Sequence, residues 1–214
     1  MTSSSFNIRL LIIGIMIAVL GATAGVSFWK LTQARNLARN TSLIVLPESR
    51  GIADFRLIDH HSQPFSLEDL RGHWSLIFFG FTHCPDVCPG TLYELQKVNE
   101  ALEQQLGANE PRPQILFISL DPERDSPDKL RQYLAYFDPG FIGVTGDHVQ
   151  LLPLTRQLGI AYRIEEHDPG VTQYGVDHSA SILLIDPEGQ LYGVFPAPHD
   201  AAQIPADLLA VIRD

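Results

Sequence analysis

The 214-residue chain has only two cysteines, too few for a small disulfide scaffold, and no segment recurs at a fixed period, which excludes solenoids and propellers. Basic residues are also scarce, 15 Lys and Arg against 25 Asp and Glu, and only 19% of the chain is charged. The first 40 residues lack any acid and hold four bases, Arg9, Lys30, Arg35 and Arg39. From residue 41 onward, 11 bases therefore face 25 acids, a formal charge near −14. Nucleic-acid binding depends on Lys and Arg neutralising phosphates, so a surface this acidic argues against nucleic acid and favours cationic or basic-faced partners. What is abundant is apolar side chain, 45% of the sequence. The length suits one ordinary domain plus an appendage.

Leu10 to Trp29 (LLIIGIMIAVLGATAGVSFW) is a 20-residue uncharged run between Arg9 and Lys30, long enough as a helix to cross the hydrocarbon core. A cleaved signal peptide competes with that reading, because Ala22-Thr23-Ala24 resembles a small-x-small cleavage site. The apolar stretch continues past that site to Trp29, an interfacial type of residue, which favours an uncleaved anchor. The flanking charges alone would place the C-terminal side in the cytoplasm, but a long domain is translocated regardless of such a bias. The start MTSSSFNIRLL is too short and too poor in Arg for an organelle transit peptide and points to a bacterial membrane. The expected organisation is a short segment 1–9, a transmembrane anchor 10–29, a polar tether 30–50 and one domain over 51–214.

Within the domain, Phe55 to Ile58 and Phe65 to Leu67 flank a DHHSQP turn and predict a hairpin. Ser75 to Phe79 and Gln114 to Leu120 read as buried strands. Between them Leu92, Leu95, Val98, Leu102 and Leu106 share one helical face. Ser126 as N-cap and Pro127 at the first helical position predict a second helix, and Asp147 caps a third to Leu158, which Pro153 should kink or delay. After an irregular stretch, Ser181 to Ile185 and Leu191 to Phe195 form a hairpin around DPEGQ, and Pro205 to Arg213 a closing helix. This order fits an α/β three-layer sandwich of thioredoxin type with an added N-terminal β-hairpin, its two strand-helix crossovers parallel and right-handed.

Cys84 and Cys88 stand in FGFTHCPDVCPGTL (79–92), just past the first buried strand, at the sheet edge where open α/β folds bind ligands. Pro85 and Pro89 should hold both cysteines on a bent loop over the helix N-terminus, where the dipole favours thiolate. A purely stabilising disulfide across three residues would remove little chain entropy, which leaves redox or soft-metal chemistry. Two thiolates suit Cu(I), but they do not complete a Zn²⁺ site, so a further ligand must come from elsewhere. Eight histidines are candidates. His60 and His61 sit in the hairpin turn, while His73, His148, His167 and His199 read as solvent-exposed. His83 neighbours Cys84, with a backbone that directs it away. His178 precedes the late strand, where a thioredoxin fold brings a loop over the cysteines. Asp-His-Ser is nonetheless an ordinary strand-entry sequence, and the spacing by itself decides nothing.

FGFTHCPDVCPGTL, SLDPERDSPDKL (119–130) and VDHSASILLIDPEG (176–189) together resemble the Sco/SenC family of membrane-anchored, thioredoxin-like copper chaperones. The resemblance spans roughly residues 50–200, in the family's order. It implies that Cys84, Cys88 and His178 are metal ligands for Cu(I) or Cu(II). It further implies a role in assembling the binuclear copper centre of cytochrome c oxidase, with the oxidase's copper-bearing subunit and a copper donor or thiol reductant as partners. The expected form is a monomer in the inner, cytoplasmic membrane with its domain on the periplasmic side. Asp121, Pro122, Asp125 and Pro127 match the segment DPERD(T/S)P, read here mainly as loop and helix-cap structure. The alternative is a thiol-disulfide reductase working through a mixed disulfide at Cys84 and Cys88. Three intervening residues instead of two, and no proline before Ser181, weigh against it. A peroxidase is disfavoured because Phe81 stands where its threonine belongs.

Overall fold

The computed structural model describes Met16, residues 41–107 and residues 110–213, so the anchor expected at 10–29 lies outside the described residues. Among those residues, no helix is long and apolar enough to cross a membrane. In chain order the elements are β1 (Ile44–Gly51), β2 (Arg56–Asp59), β3 (Pro64–Ser66), a 3₁₀ turn (Leu67–Leu70), β4 (Ser75–Gly80), α1 (Val87–Gln105), β5 (Gln114–Ser119), α2 (Pro127–Leu134), β6 (Ile142–Thr145), α3 (His148–Leu158), β7 (Tyr162–Ile164), β8 (Val176–His178), β9 (Ile182–Ile185), β10 (Gln190–Phe195) and α4 (Ile204–Ile212).

An eight-stranded sheet runs β1-β10-β9-β4-β5-β6-β2-β3. Strands β4, β5 and β6 are parallel neighbours, and β9 joins β4 antiparallel. All six residues of β4 and all but the first of β5 are buried. Burial on both faces requires cover on both sides of the sheet, as in a three-layer arrangement. One face of α1 supplies part of that cover, with Leu92, Leu95, Val98 and Leu102 at or below 1% exposure.

Register sets the position of the site. Phe78 of β4 pairs with Ile182 of β9, Gly80 pairs with Ser119 of β5, and Phe195 of β10 also pairs with Ile182. The segments following β4 and β5 and the turn preceding β9 therefore meet at one edge. Because Ile44 pairs with Val194, the chain enters β1 at this same edge.

Three departures from the sequence reading have physical causes. Residues 44–50, expected as the end of a tether, belong with Gly51 to β1 on the free side of β10, with Leu43 and Ile52 buried at either end. Asp207 of α4 fixes that entry, accepting from Ser42 N at 2.7 Å, Ser42 Oγ at 2.8 Å and Leu43 N at 3.2 Å. Second, α3 begins at His148 and runs through Pro153 with no delay. Pro153 lies on the exposed face, where water can take the carbonyl that loses its helical partner, while Leu151, Leu154 and Leu158 stay buried opposite. Third, the irregular stretch contains a second, two-stranded sheet in which Tyr162 pairs with His178 and Ile164 with Val176. Strands of three residues are too short to give a clear periodic signal.

Candidate metal centre

The tight turn after β4 leads directly into α1, and Cys88 lies in the first turn of that helix and not on the preceding loop. It is fully buried, whereas Cys84 is half-buried. Both cysteines are free, and the Cys88 amide donates to Cys84 Sγ at 3.4 Å. The expectation that the helix N-terminus favours thiolate fails for Cys88: burial pushes its thiol up, outweighing a backbone hydrogen bond from Phe81 that acts the other way.

His178 ends β8 and faces the pair, with Nε2 3.4 Å from Cys88 Sγ. Its Nδ1 stands 2.9 Å from the Ser179 carbonyl. A carbonyl only accepts, so Nδ1 carries the proton and Nε2 presents its lone pair to the sulfurs. Burial lowers the His178 pKa and so keeps the imidazole neutral, the form that ligates metal. The Phe78 and Phe81 rings meet the imidazole edge-on, with centroids at 6.1 and 6.0 Å. The Sγ atoms of Cys84 and Cys88 and a ring nitrogen of His178 lie within 4.8 Å of one another. Two soft sulfurs and one imidazole form a donor set suited to copper in either oxidation state.

The other histidines stand elsewhere. His83 turns toward Thr82 and Asp125, its Nδ1 3.2 Å from Thr82 Oγ1 and 3.8 Å from Asp125 Oδ1. His60 is bound to β6 through Gly143. His167 and His199, expected to be exposed, are not: His167 stacks on Tyr174 at 3.7 Å, and His199 Nε2 donates to the Ala180 carbonyl at 2.8 Å.

Asp121 and Asp125 do more than shape a loop and cap a helix, although Ser126 does cap α2 as expected. Asp125 is fully buried and accepts from Thr82 N at 2.9 Å and Ser119 Oγ at 2.6 Å, which ties the cysteine loop to the end of β5. Asp121, also fully buried, pairs with Arg124 and accepts from Tyr174 Oη at 2.7 Å. His83, Asp121 and Asp125 lie close enough to resemble a second metal cluster, but both carboxylates are already engaged by these donors. The sequence reading missed Arg124, Tyr174 and Ser179. The one available signal was Arg124 standing between Glu123 and Asp125 in SLDPERDSPDKL.

The family model described as SCO1/SenC matches residues 46–213. The chain belongs to the Sco/SenC family. It is 39% identical over 169 residues to a putative copper-binding protein of Stutzerimonas stutzeri, covering 78% of this chain and 80% of that one. It is 35% identical over 187 residues to the mitochondrial SCO2 homolog of Mus musculus, covering 87% of this chain and 69% of that protein. Yeast Sco1 with copper bound superposes with a TM-score of 0.70 at 31% identity, covering 77% of this chain and 90% of that structure. Arabidopsis thaliana ScoI with copper bound gives a TM-score of 0.68 at 30% identity, covering 76% and 98%. The mixed α/β, thioredoxin-like architecture expected from the sequence is thus the architecture of this Sco/SenC chain.

Proposed function

We propose that this Sco/SenC chain binds one copper ion through Cys84, Cys88 and His178 and passes it to a partner protein. The observation that carries this reading is the convergence of two sulfurs and a free imidazole lone pair at one sheet edge. Relatives whose structures hold copper support it. Thiolates hold Cu(I), imidazole adds what Cu(II) needs, and stepwise ligand exchange moves the ion onward. Beside His178 an open cleft of about 370 Å³, lined by Tyr162, Arg163 and Asp177 among others, leaves room for an incoming ligand.

In this reading residues 10–29 anchor the chain in the inner membrane, and the domain works as a monomer on the periplasmic side. The recipient is the copper-bearing subunit of cytochrome c oxidase, whose binuclear copper centre the chain helps to assemble, after loading by a copper donor. Membership of the Sco/SenC family is what supports this assignment.

One observation favours a second reading. A half-buried cysteine four residues before a fully buried one is the arrangement of an attacking and a resolving thiol, so Cys84 and Cys88 could reduce a partner's disulfide.

The deciding experiment measures copper stoichiometry and affinity of the full chain in detergent, alongside His178→Ala and Cys88→Ser. One copper per chain, lost in Cys88→Ser and weakened in His178→Ala, is expected. Two or more tightly held coppers, or none with reduced cysteines, would overturn the proposal. A reductase would keep its thiol activity without His178.

A further inference from the structure

His178 sits at the end of a 14-residue stretch, residues 165–178, in which only the last three residues belong to a strand. Pairing with β7 fixes only residues 176–178, so the rest of the stretch must be held by other contacts. The guanidinium of Arg124 lies 3.5 Å from the Tyr174 ring centre, and the His167 ring stacks on Tyr174 at 3.7 Å with planes 10° apart. Two groups this close to one ring centre cannot share a face, so Tyr174 is sandwiched between them. Arg124 Nη1 also donates to the carbonyls of Thr172 at 3.1 Å and Tyr174 at 2.9 Å. Its Nε is ion-paired with Asp121, which takes the Tyr174 hydroxyl as well. The Arg124 side chain is only 6% exposed. The same guanidinium stands 5.6 Å over the Phe81 ring, which also meets the His178 imidazole edge-on.

We propose that Arg124 is a positioning residue for His178, holding segment 172–178 over the cysteines through Tyr174 and Phe81. A planar fork is needed for this task. It must stack on an aromatic face, bridge a carboxylate and donate to two carbonyls at once, which a lysine ammonium cannot do. The inference rests on the copper-site reading for its consequence and on the contacts around Arg124 for its geometry.

The test compares the full chain with Arg124→Lys, His178→Ala and the double variant. In the copper-free state, hydrogen exchange over residues 165–178 should accelerate at least tenfold in Arg124→Lys, with α1 and β5 unchanged. With copper, Arg124→Lys should lose about 10- to 100-fold in Cu(II) affinity, as outer-shell substitutions do. Its thiolate-to-Cu(II) absorption should move toward that of His178→Ala, while Cu(I) affinity stays within about threefold. Because Arg124 acts through His178, the double variant should bind Cu(II) no more weakly than His178→Ala alone. Unchanged exchange over 165–178 would overturn the proposal whether or not copper binds, and so would losses that add in the double variant. If exchange accelerates while His178→Ala leaves Cu(II) binding untouched, the copper-site reading fails and the positioning of the segment stands. Should Arg124→Lys not fold, Tyr174→Leu removes the half-buried ring instead, and the same exchange and spectral outcomes decide.

Discussion

Gly80 lies directly beneath the sulfur of Cys88: a β-carbon added there would stand 2.9 Å from Cys88 Sγ and 2.7 Å from Phe117 Cε2. Phe117 is fully buried and cannot yield cheaply. Gly80→Ala is therefore expected to cost about 1–3 kcal/mol of stability, the usual scale of overpacking, and to weaken Cu(I) binding by displacing the sulfur. Denaturant unfolding and Cu(I) competition titration read the two effects. A variant with wild-type stability and affinity would mean that this contact does not constrain the site.

Asp207 joins the start of β1 to α4. Replacing it with Ala removes the charged acceptor of the Ser42 amide and hydroxyl and is expected to cost about 2 kcal/mol. Truncation at residue 45 should destabilise by a comparable amount relative to truncation at residue 41, because it deletes the donors. Thermal melts of the variant and of both truncations provide the check. Equal stability of the two truncations would sink the idea that Ser42 and Leu43 belong to the folded unit.

These two sites mark how far the sequence could be read. Strongly periodic or wholly apolar segments, such as the Leu92 to Leu102 face and SLIFF, announce themselves because burial dictates their composition. Cys84 and Cys88 were visible as a pair placed after a buried strand. His178 emerged through the family likeness, since Asp-His-Ser has no distinctive local chemistry. Strand β1 was missed: its apolar start, Ile44 to Leu46, is cut short by Pro47 and a polar run, and its residues are almost all exposed, so no face alternates toward a core. Arg124 and Tyr174, 50 residues apart, form an interaction with no local pattern, and Pro153 misled because a propensity rule was applied without knowing which face of α3 meets solvent.

His60 supplies a pH dependence. Its Nδ1 accepts the Gly143 amide at 2.8 Å, fastening the β2–β3 hairpin to β6. Burial first, then the neighbouring His61, lowers its pKa below 6.5, against the opposing pull of the Gly143 carbonyl, 3.3 Å from Nδ1, and of Asp59; Arg131 adds to the lowering. The folded state thus prefers the neutral ring. Its contribution is present above about pH 6.5 and is lost as pH falls through the lowered folded value. Melting temperature should fall from pH 7.5 to pH 5, and less steeply in His60→Gln. His178 and His199, also lowered by burial, add to the same trend. Identical pH profiles for wild type and His60→Gln would remove His60 from the account.

Oxidation of Cys84 and Cys88 to a disulfide is expected to abolish copper binding, and reduction to restore it. The thiolate is the donor, and a disulfide sulfur is a poor one. Equilibrium dialysis of the oxidised and re-reduced chain settles the point. Undiminished affinity after oxidation would contradict a two-thiolate site.

Loss of the imidazole should separate the two copper states. Two thiolates alone satisfy Cu(I) in a linear arrangement, whereas Cu(II) draws on nitrogen ligands, so His178→Ala removes an optional group from one state and a needed group from the other. The geometry sharpens this expectation: the Nε2 lone pair faces the sulfurs because Ser179 holds Nδ1, and no other histidine shares the cluster among the described residues. Cu(II) affinity is expected to drop about 100-fold or more, with the thiolate-to-Cu(II) band shifted or bleached, while Cu(I) affinity falls less than about tenfold. Competition titration of both ions against wild type and variant gives the comparison. Equal losses would show that His178 does not select between the states, and no loss for either ion would remove it from the site and return the cysteines to thiol-disulfide chemistry.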